Sequence, residues 1–220
     1  KNKYKILVTG GAGMIGSNLV KKLIHNNYEV FVADNLWRGK KEYLLSDDKS
    51  MAIPTKNFYE VDLRDYENCL KVTNQMDIVV HLADVVAGIN YVFSNESSLY
   101  RSNILINTNT LNACIANKVK KYIYAGTACS YPKSKQSIIN PPPFKEQDVY
   151  PAEPESSYGW SKLMGEYEAE LAYNAGLINI EILRLHNVYG SPSELDPSMS
   201  QVIPALCRKA IEQKNLELVV

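Results

Sequence analysis

The stretch Tyr4-Lys-Ile-Leu-Val-Thr9, followed by Gly10-Gly11-Ala12-Gly13-Met14-Ile15-Gly16-Ser17, decides the fold of this chain. It predicts a strand, a glycine-rich turn and a helix that runs to His25. The first glycine allows a tight turn, the second lets the backbone approach a pyrophosphate, and the third lets the helix pack close to the strand. Because a helix N-terminus offers free N–H groups, this segment predicts a dinucleotide phosphate site. Its expected contact residues are Gly10, Gly13, Met14, Ile15 and Gly16.

The second predicted strand, residues 28–33, ends at Asp34. An acid at this point accepts hydrogen bonds from a ribose 2′-hydroxyl and repels a 2′-phosphate. We therefore expect NAD rather than NADP, with Asn35 and Arg38 also beside the cofactor, although the positive charge of Arg38 leaves NADP open. The alternative is that the glycines form an ordinary loop and Asp34 is a turn residue. The correct order of strand, helix and acid disfavours it.

Strand and helix patterns alternate through the rest of the chain. Further strands are predicted at residues 57–61, 77–82, 121–125 and 178–183, and the start of one at 216–220. Helices are predicted at 66–73, 99–117, 158–174 and 200–213, and a proline-rich loop at 132–154. This alternation predicts an α/β fold, a doubly wound parallel (Rossmann) sheet with helices on both faces. We expect a NAD-binding domain at residues 1–185 and the start of an incomplete substrate domain at 186–220.

Composition excludes several classes of function. The chain has 220 residues, 24 basic and 24 acidic, so no net charge is available to attract nucleic acid. No apolar run is long enough to cross a bilayer, and the first residues lead directly into a strand, so we expect neither a membrane protein nor a signal peptide. Four scattered cysteines and three dispersed histidines disfavour a metal site and a disulfide framework, and fit a cytoplasmic protein.

The stretch Tyr158-Gly-Trp-Ser-Lys162 places a phenol and an ammonium four residues apart on a predicted helix. Residues i and i+4 share one face of a helix. A nearby cation favours the phenolate, and a tyrosine whose pKa is lowered can accept a hydroxyl proton while hydride leaves the same carbon. The pair therefore predicts redox chemistry at a carbon that bears a hydroxyl.

These motifs and Arg184-Leu-His-Asn-Val-Tyr-Gly190 together resemble the extended short-chain dehydrogenase/reductase family, in its group of NAD-dependent nucleotide-sugar epimerases and dehydratases. Six stretches are most similar to the 3,5-epimerases of GDP-mannose. They are Val61-Asp-Leu-Arg64, Glu67-Asn-Cys-Leu-Lys-Val-Thr73, Ala128-Cys-Ser-Tyr-Pro132, Tyr150-Pro-Ala-Glu-Pro154, His186-Asn-Val-Tyr-Gly190 and Cys207-Arg-Lys209. The resemblance implies NAD as cofactor, a nucleotide-sugar substrate with GDP favoured, and a homodimer formed by the helices at 99–117 and 158–174.

The resemblance also implies roles for single residues. Tyr158 would accept the proton, Lys162 would bind the ribose and lower the pKa of that tyrosine, and Thr127 would share the 4-hydroxyl of the substrate. Asn187 would lie near the substrate diphosphate. For Asn103 a structural part and a water-relay part remain open. The remaining expected cofactor contacts follow strand ends, Asp62 and Leu63 at the adenine and Leu82, Ala83 and Asp84 toward the ribose and nicotinamide.

Cys129 distinguishes between the reactions of this family. The 4,6-dehydratases carry an acidic pair at this position, which helps to expel a hydroxyl, whereas this chain has Ala128-Cys129. A thiol can instead exchange a proton with a carbon beside a ketone. Its alternative is a small apolar filler of the core. The 3,5-epimerases also place a lysine where this chain has Gln201, and glutamine cannot exchange a proton at neutral pH.

The sequence thus favours a nucleotide-sugar epimerase that acts through a transient 4-keto sugar, with Cys129 exchanging a proton at C3 or C5. A 4-reductase or a dehydratase of the same family is the first alternative. A NAD-binding regulatory protein without turnover is the second, and it is disfavoured because such a protein needs no phenol–ammonium pair.

Overall fold

The computed structural model describes residues 4–46, 48–140, 142–194, 196 and 200–212, and shows a six-stranded sheet at its centre. All strand pairs are parallel, in the spatial order β3-β2-β1-β4-β5-β6. The strands are β1 (Lys5–Thr9), β2 (Glu29–Asp34), β3 (Phe58–Glu60), β4 (Ile78–His81), β5 (Lys121–Thr127) and β6 (Asn179–Leu185). The doubly wound parallel sheet is therefore confirmed.

Seven α-helices lie in the described part of the chain. They are α1 (Met14–His25), α2 (Tyr66–Thr73), α3 (Ile89–Ser94), α4 (Glu96–Ala116), α5 (Lys133–Gln136), α6 (Ser157–Asn174) and α7 (Val202–Glu212). Short 3₁₀ turns cover Lys41–Leu44, Thr55–Asn57, Ala128–Ser130 and Glu146–Val149. No helix of the described part is long and apolar enough to pass through a bilayer.

The central strands are apolar on both faces, because helices cover the sheet on each side. On β1, Leu7 faces one core cluster, while Ile6 and Val8 face the other. Residues from α2, α4 and α6 complete the first cluster, and Val20 of α1 belongs to the second. Both clusters support the same sheet, so the carboxyl ends of its strands form one rigid edge.

Strand order reverses at β1, which pairs with β2 on one side and with β4 on the other. Connections leave the sheet in opposite directions at such a point, and a crevice forms between them. The glycine-rich turn after β1 lies at this crevice, and a ligand bound there meets the helix N-terminus.

Some local details differ from the expectations. Helix α3 was not predicted, because residues 89–94 have no clear helical period in the sequence, and α4 begins three residues before the expected start at 99. The short α5 interrupts the expected loop at 132–154. The predicted strand at 216–220 lies outside the described residues.

Candidate active site

One cavity of about 1250 Å³ opens at the carboxyl ends of the strands. It extends from the glycine-rich turn across the ends of β4 and β5 to the segment that follows β6. Every residue that the sequence singled out for cofactor, substrate or catalysis lines it. These are Gly10, Gly13, Met14, Ile15, Gly16, Asp34, Asn35, Arg38, Asp62, Leu63, Leu82, Ala83, Asp84, Thr127, Cys129, Tyr158, Lys162 and Asn187.

The glycine-rich turn has a shape that side chains would prevent. Gly10 has a φ of +67°, in the left-handed region that favours glycine. A side chain at Gly16 would overlap the carbonyl oxygen of Gly10, so α1 begins directly against the turn. The first residue of α1 follows Gly13, which has no side chain to cap the helix, and the first turn contains no acidic residue. This cradle therefore fits the pyrophosphate of a dinucleotide.

Asp34, at the end of β2, contacts the same glycine-rich turn. Its Oδ2 accepts a hydrogen bond from the N–H of Ala12 at 3.0 Å, and its Oδ1 accepts one from the N–H of Leu36 at 2.9 Å. Burial raises the pKa of Asp34, and these two N–H groups act against that rise. Each carboxylate oxygen has lone pairs left for further donors, so Asp34 can still accept hydrogen bonds from ribose hydroxyls.

Arg38 reaches from the loop after β2 to the loop after β4. Its Nη1 donates to the carbonyl of Val86 at 2.9 Å, which links the loop after β2 to the loop after β4. Asp62 is held by Arg64, whose Nη2 lies 2.5 Å from Oδ2 and lowers the pKa of the carboxyl. Leu63 is 4% exposed and packs into the core beneath the cavity.

A buried polar network fixes the end of β4. Oγ1 of Thr9 accepts hydrogen bonds from the N–H groups of Leu82 and Ala83, both at 3.2 Å. It also lies 2.8 Å from Nδ1 of His81, whose Nε2 lies 3.0 Å from Oδ1 of Asn107. Burial lowers the pKa of His81 to about 3, so the ring is neutral and serves as a fixed link. This link was not predicted, although His81 at the end of an otherwise apolar strand was the available signal.

Thr127, Cys129 and Tyr158 meet where β5 ends and α6 begins. Thr127 accepts a hydrogen bond from the N–H of Cys129 at 3.2 Å, and its side chain lies near enough to Tyr158 to lower the pKa of the phenol. A side chain at Gly159 would overlap the carbonyl oxygen of Cys129, so α6 packs directly on this turn. Cys129 is exposed on the cavity and is not part of the core. The geometry thus places a phenol, a hydroxyl and a thiol in one part of the cavity.

The ammonium of Lys162 pairs with a carboxylate that the sequence did not reveal as its partner. Its Nζ lies 2.6 Å from Oδ2 of Asp84 and 4.5 Å from the centre of the Tyr124 ring. Burial raises the pKa of Tyr158 above its usual range, and the charge of Asp84 adds to that rise. The side chain of Thr127 lowers the pKa of the phenol. Asp84 therefore acts on the phenol in the direction opposite to the effect expected of Lys162.

Two further polar groups support the site from below. Asn103 accepts a hydrogen bond from the N–H of Val85 at 2.7 Å and donates to Oγ of Ser161 at 3.3 Å, so it ties the loop after β4 to α6. These contacts give Asn103 a structural role. Buried Glu166 pairs with Arg184 at 2.8 Å and holds β6 against α6.

The segment after β6 turns back over the glycine-rich turn. The backbone carbonyls of Ser191 and Ser193 accept hydrogen bonds from Asn18 at 3.0 Å and Tyr43 at 3.3 Å, and Glu194 pairs with Lys40 at 3.1 Å. Asn187, before this contact, is exposed and lines the cavity. Gln201 also lines the cavity, on the side that faces the loop after β4.

The comparisons with known proteins agree with this geometry. The model of the NAD dependent epimerase/dehydratase family matches residues 6–220. The chain belongs to this family. Its cofactor is NAD, and the glycine cradle and Asp34 described above fit that dinucleotide.

Curated relatives within the family act on different nucleotide sugars. GDP-mannose 3,5-epimerase of Arabidopsis thaliana is 37% identical over 207 residues, which cover 94% of this chain and 52% of that protein. A putative UDP-glucose 4-epimerase of Methanocaldococcus jannaschii is 35% identical over 189 residues, which cover 84% and 56%. The chain thus spans about half the length of the curated relatives it matches.

Solved structures of epimerases share the fold. UDP-glucose 4-epimerase of Thermotoga maritima, with UDP-glucose, has a TM-score of 0.79 and 29% identity, covering 94% of this chain and 63% of that one. The enzyme of Thermus thermophilus, in complex with NAD, has a TM-score of 0.73 and 30% identity, covering 86% and 57%.

Proposed function

We propose that this chain is the nucleotide-binding part of a nucleotide-sugar epimerase that acts on a GDP-hexose, with GDP-mannose as the first candidate. The observation that supports this most is the meeting of Tyr158, Thr127 and an exposed Cys129 in one part of the NAD cavity. The similarity to GDP-mannose 3,5-epimerase, 37% over 94% of the chain, supports the choice of nucleotide and sugar. Proton exchange at C3 or C5 is expected because the thiol of Cys129 can act on a carbon beside a ketone.

NAD, when bound, supplies a hydride acceptor for the carbon that carries the substrate 4-hydroxyl. The phenolate oxygen of Tyr158 takes the proton of that hydroxyl, and the Thr127 hydroxyl holds both oxygens in place. Loss of a proton from oxygen and a hydride from carbon leaves a ketone at C4. Burial raises the pKa of this phenol, so the proposed step requires that Tyr158 is ionised before it accepts the proton of the 4-hydroxyl.

Cys129 performs the step that inverts a centre. A ketone at C4 acidifies the C–H bonds at C3 and C5, and the thiolate removes one of these protons. Return of a proton to the opposite face, followed by reversal of the C4 step, leaves an epimer. The notable difference from the 3,5-epimerases is Gln201, which lines the cavity and has no exchangeable acidic proton. We therefore propose that a group other than residue 201 supplies the second proton, or that only one centre is inverted.

We also propose that the protein is a homodimer and works in the cytoplasm. Helices α4 and α6 pack side by side, and each presents large apolar side chains to the surface. Tyr100 and Leu105 of α4 are 39% and 41% exposed, and Tyr167 and Leu171 of α6 are 49% and 51% exposed. Apolar groups on two adjacent helices suit a contact with the same two helices of a second copy.

The proposal is tested by incubating the full-length natural protein with GDP-mannose or with UDP-glucose in D₂O, in separate reactions. NMR of the recovered sugar identifies both the product and the position of any deuterium. Deuterium at C3 or C5 of the GDP-sugar supports the proposal. A UDP-sugar inverted at C4 without deuterium indicates a 4-epimerase, and a product that has lost water indicates a dehydratase. Stoichiometric consumption of added NADH would indicate a reductase.

A further inference from the structure

Asp84 and Lys162 form an ion pair beneath the proposed reaction centre. Asp84 follows β4 by three residues, and Lys162 lies one turn after Tyr158 in α6. Their side chains are only 3% and 4% exposed, and Nζ lies 2.6 Å from Oδ2. An acidic and a basic side chain are thus held together in the interior, at the floor of the NAD cavity.

This arrangement is costly for the fold. Within the described residues, neither oxygen of Asp84 has a well-aligned hydrogen-bond partner, so the nearby ammonium is its only compensation. Burial raises the pKa of Asp84, and Lys162 opposes that rise. Replacing a buried ion pair by apolar groups is often neutral or stabilising. Stability alone therefore gives no reason for a carboxylate at this position.

We propose that Asp84 is a positioning residue: its carboxylate holds the ammonium of Lys162 one helical turn from Tyr158 and places a negative charge near the phenol. Tyr158, Lys162 and Asp84 then act as one charge-coupled unit. The part of this unit in catalysis rests on the proposed function. The effect of the Asp84 charge on Tyr158 does not depend on which substrate the protein uses. The cofactor contact that the sequence analysis expects of Asp84 stays a prediction beside this role.

The groups around Lys162 leave Asp84 as its main ionic partner. Tyr124 of β5 presents its ring to the ammonium at 4.5 Å. His81 of β4 senses the charge of Lys162 but is itself neutral, since burial lowers the pKa of its ring to about 3. Glu166, one turn further along α6, pairs with Arg184 instead, at 2.8 Å.

The groups around Tyr158 come from four elements. Asp84, after β4, and Cys129, in the turn after β5, each raise the pKa of the phenol through their negative forms. Thr127 at the end of β5 and Arg38 after β2 lower it. Burial is the largest cause of the raised pKa of Tyr158, and an isosteric substitution at residue 84 leaves that burial unchanged. Such a substitution removes only the effect of the Asp84 charge.

Asp84→Asn keeps the size of the side chain and removes its charge. The phenolate of Tyr158 then has one negative neighbour fewer, and we expect Tyr158 to titrate at least about one pH unit lower than in the wild type, as for other close charges. Asp84→Glu restores the charge and should return the titration toward the wild-type pH. A purely structural role for Asp84 predicts no shift in the titration of Tyr158.

The test uses the full-length protein with bound NAD and tyrosine labelled with ¹³C at Cζ. The signal of Tyr158 is assigned by its loss in Tyr158→Phe, and its shift is followed against pH. The matched control is Asp77→Asn, because Asp77 pairs with Lys120 at 2.7 Å near the other end of β4, away from the cavity. The titration needs no sugar nucleotide. Its result therefore stands even if the protein does not act on GDP-mannose.

The expected result is a lower titration pH for Tyr158 in Asp84→Asn, and none of this shift in Asp77→Asn. If Tyr158 titrates at the wild-type pH in folded Asp84→Asn, or stays protonated in both to the same limit, the proposal is wrong. Should Asp84→Asn not fold, aspartate labelled with ¹³C at Cγ in the wild type decides. The carboxyl of Asp84 must then be ionised at neutral pH, and a protonated carboxyl there would overturn the proposal.

Discussion

Replacing His81 by glutamine should remove a specific pH dependence of the free energy of unfolding. His81 is completely buried at the end of β4, between Thr9 and Asn107, whereas the other two histidines, His25 and His186, are exposed. Burial is the first cause that lowers the pKa of His81 from 6.5 to about 3, and the charge of Lys162 is the second. The folded protein therefore keeps this ring neutral at pH values where the unfolded chain protonates it.

The sign and the size follow from proton linkage. Below the unfolded pKa of 6.5 only the unfolded state gains a proton, so stability falls as the pH falls, until the pH reaches about 3. Each unit of pH in this window costs about 1.4 kcal/mol. Between about pH 8 and about pH 5, His81 should thus account for a loss of roughly 2 kcal/mol. A change of that size is a large part of the stability of an ordinary domain.

Urea unfolding of the wild type and His81→Gln at both pH values measures the effect. Glutamine does not titrate, so the wild type should lose roughly 2 kcal/mol more than the variant between the two pH values. The variant will be less stable at both pH values, because the link from Thr9 to Asn107 is altered. The informative quantity is how much more stability the wild type loses than the variant between the two pH values. His25→Gln is the control, because His25 is exposed. Parallel losses in the wild type and His81→Gln would refute the reasoning.

Three further predictions concern the cofactor and the oligomer. Asp34→Ser should weaken NAD binding by about tenfold or more, since a charged acceptor is lost, and should improve binding of NADP relative to NAD in calorimetric titrations; an unchanged preference would exclude Asp34 as the ribose contact. Gly16→Val should abolish NAD binding, because its side chain overlaps the carbonyl of Gly10; retained affinity would contradict the cradle. Leu171→Arg on α6 should yield monomers in analytical ultracentrifugation, whereas Leu177→Arg, on a leucine that is 57% exposed beyond the end of α6, should not; dimers in both variants would exclude this surface.

Much of the fold could be predicted, because its determinants are local. The glycine-rich turn requires backbone conformations and close contacts that few other residues allow, and strands buried on both faces produce apolar runs. Parallel strands place their carboxyl ends along one edge, so residues after β1, β2, β4, β5 and β6 were expected at one site. One cavity is lined by residues from all of these strand ends, as the topology predicts.

The charges within the site could not be predicted in the same way. The spacing of Tyr158 and Lys162 fixes their relation on one helix, but Asp84 comes from a different part of the sheet. Only the folded arrangement, with α6 against β5 and Lys162 beside the loop after β4, shows that this carboxylate pairs with the ammonium. Similarly, the sequence left Cys129 open between core filler and reactive group, and the turn of the backbone after Thr127 is what exposes it.

The most direct test of the proposed chemistry is deuterium exchange into GDP-mannose in D₂O, compared between the wild type, Cys129→Ser and Cys207→Ser. Cys207 is also exposed but lies on α7, so its replacement controls for the loss of an accessible thiol. We predict exchange at C3 or C5 in the wild type and in Cys207→Ser, and a large loss of it in Cys129→Ser. Exchange that persists unchanged in Cys129→Ser would contradict the assignment of the thiol, and no exchange in any of the three would contradict this substrate and reaction.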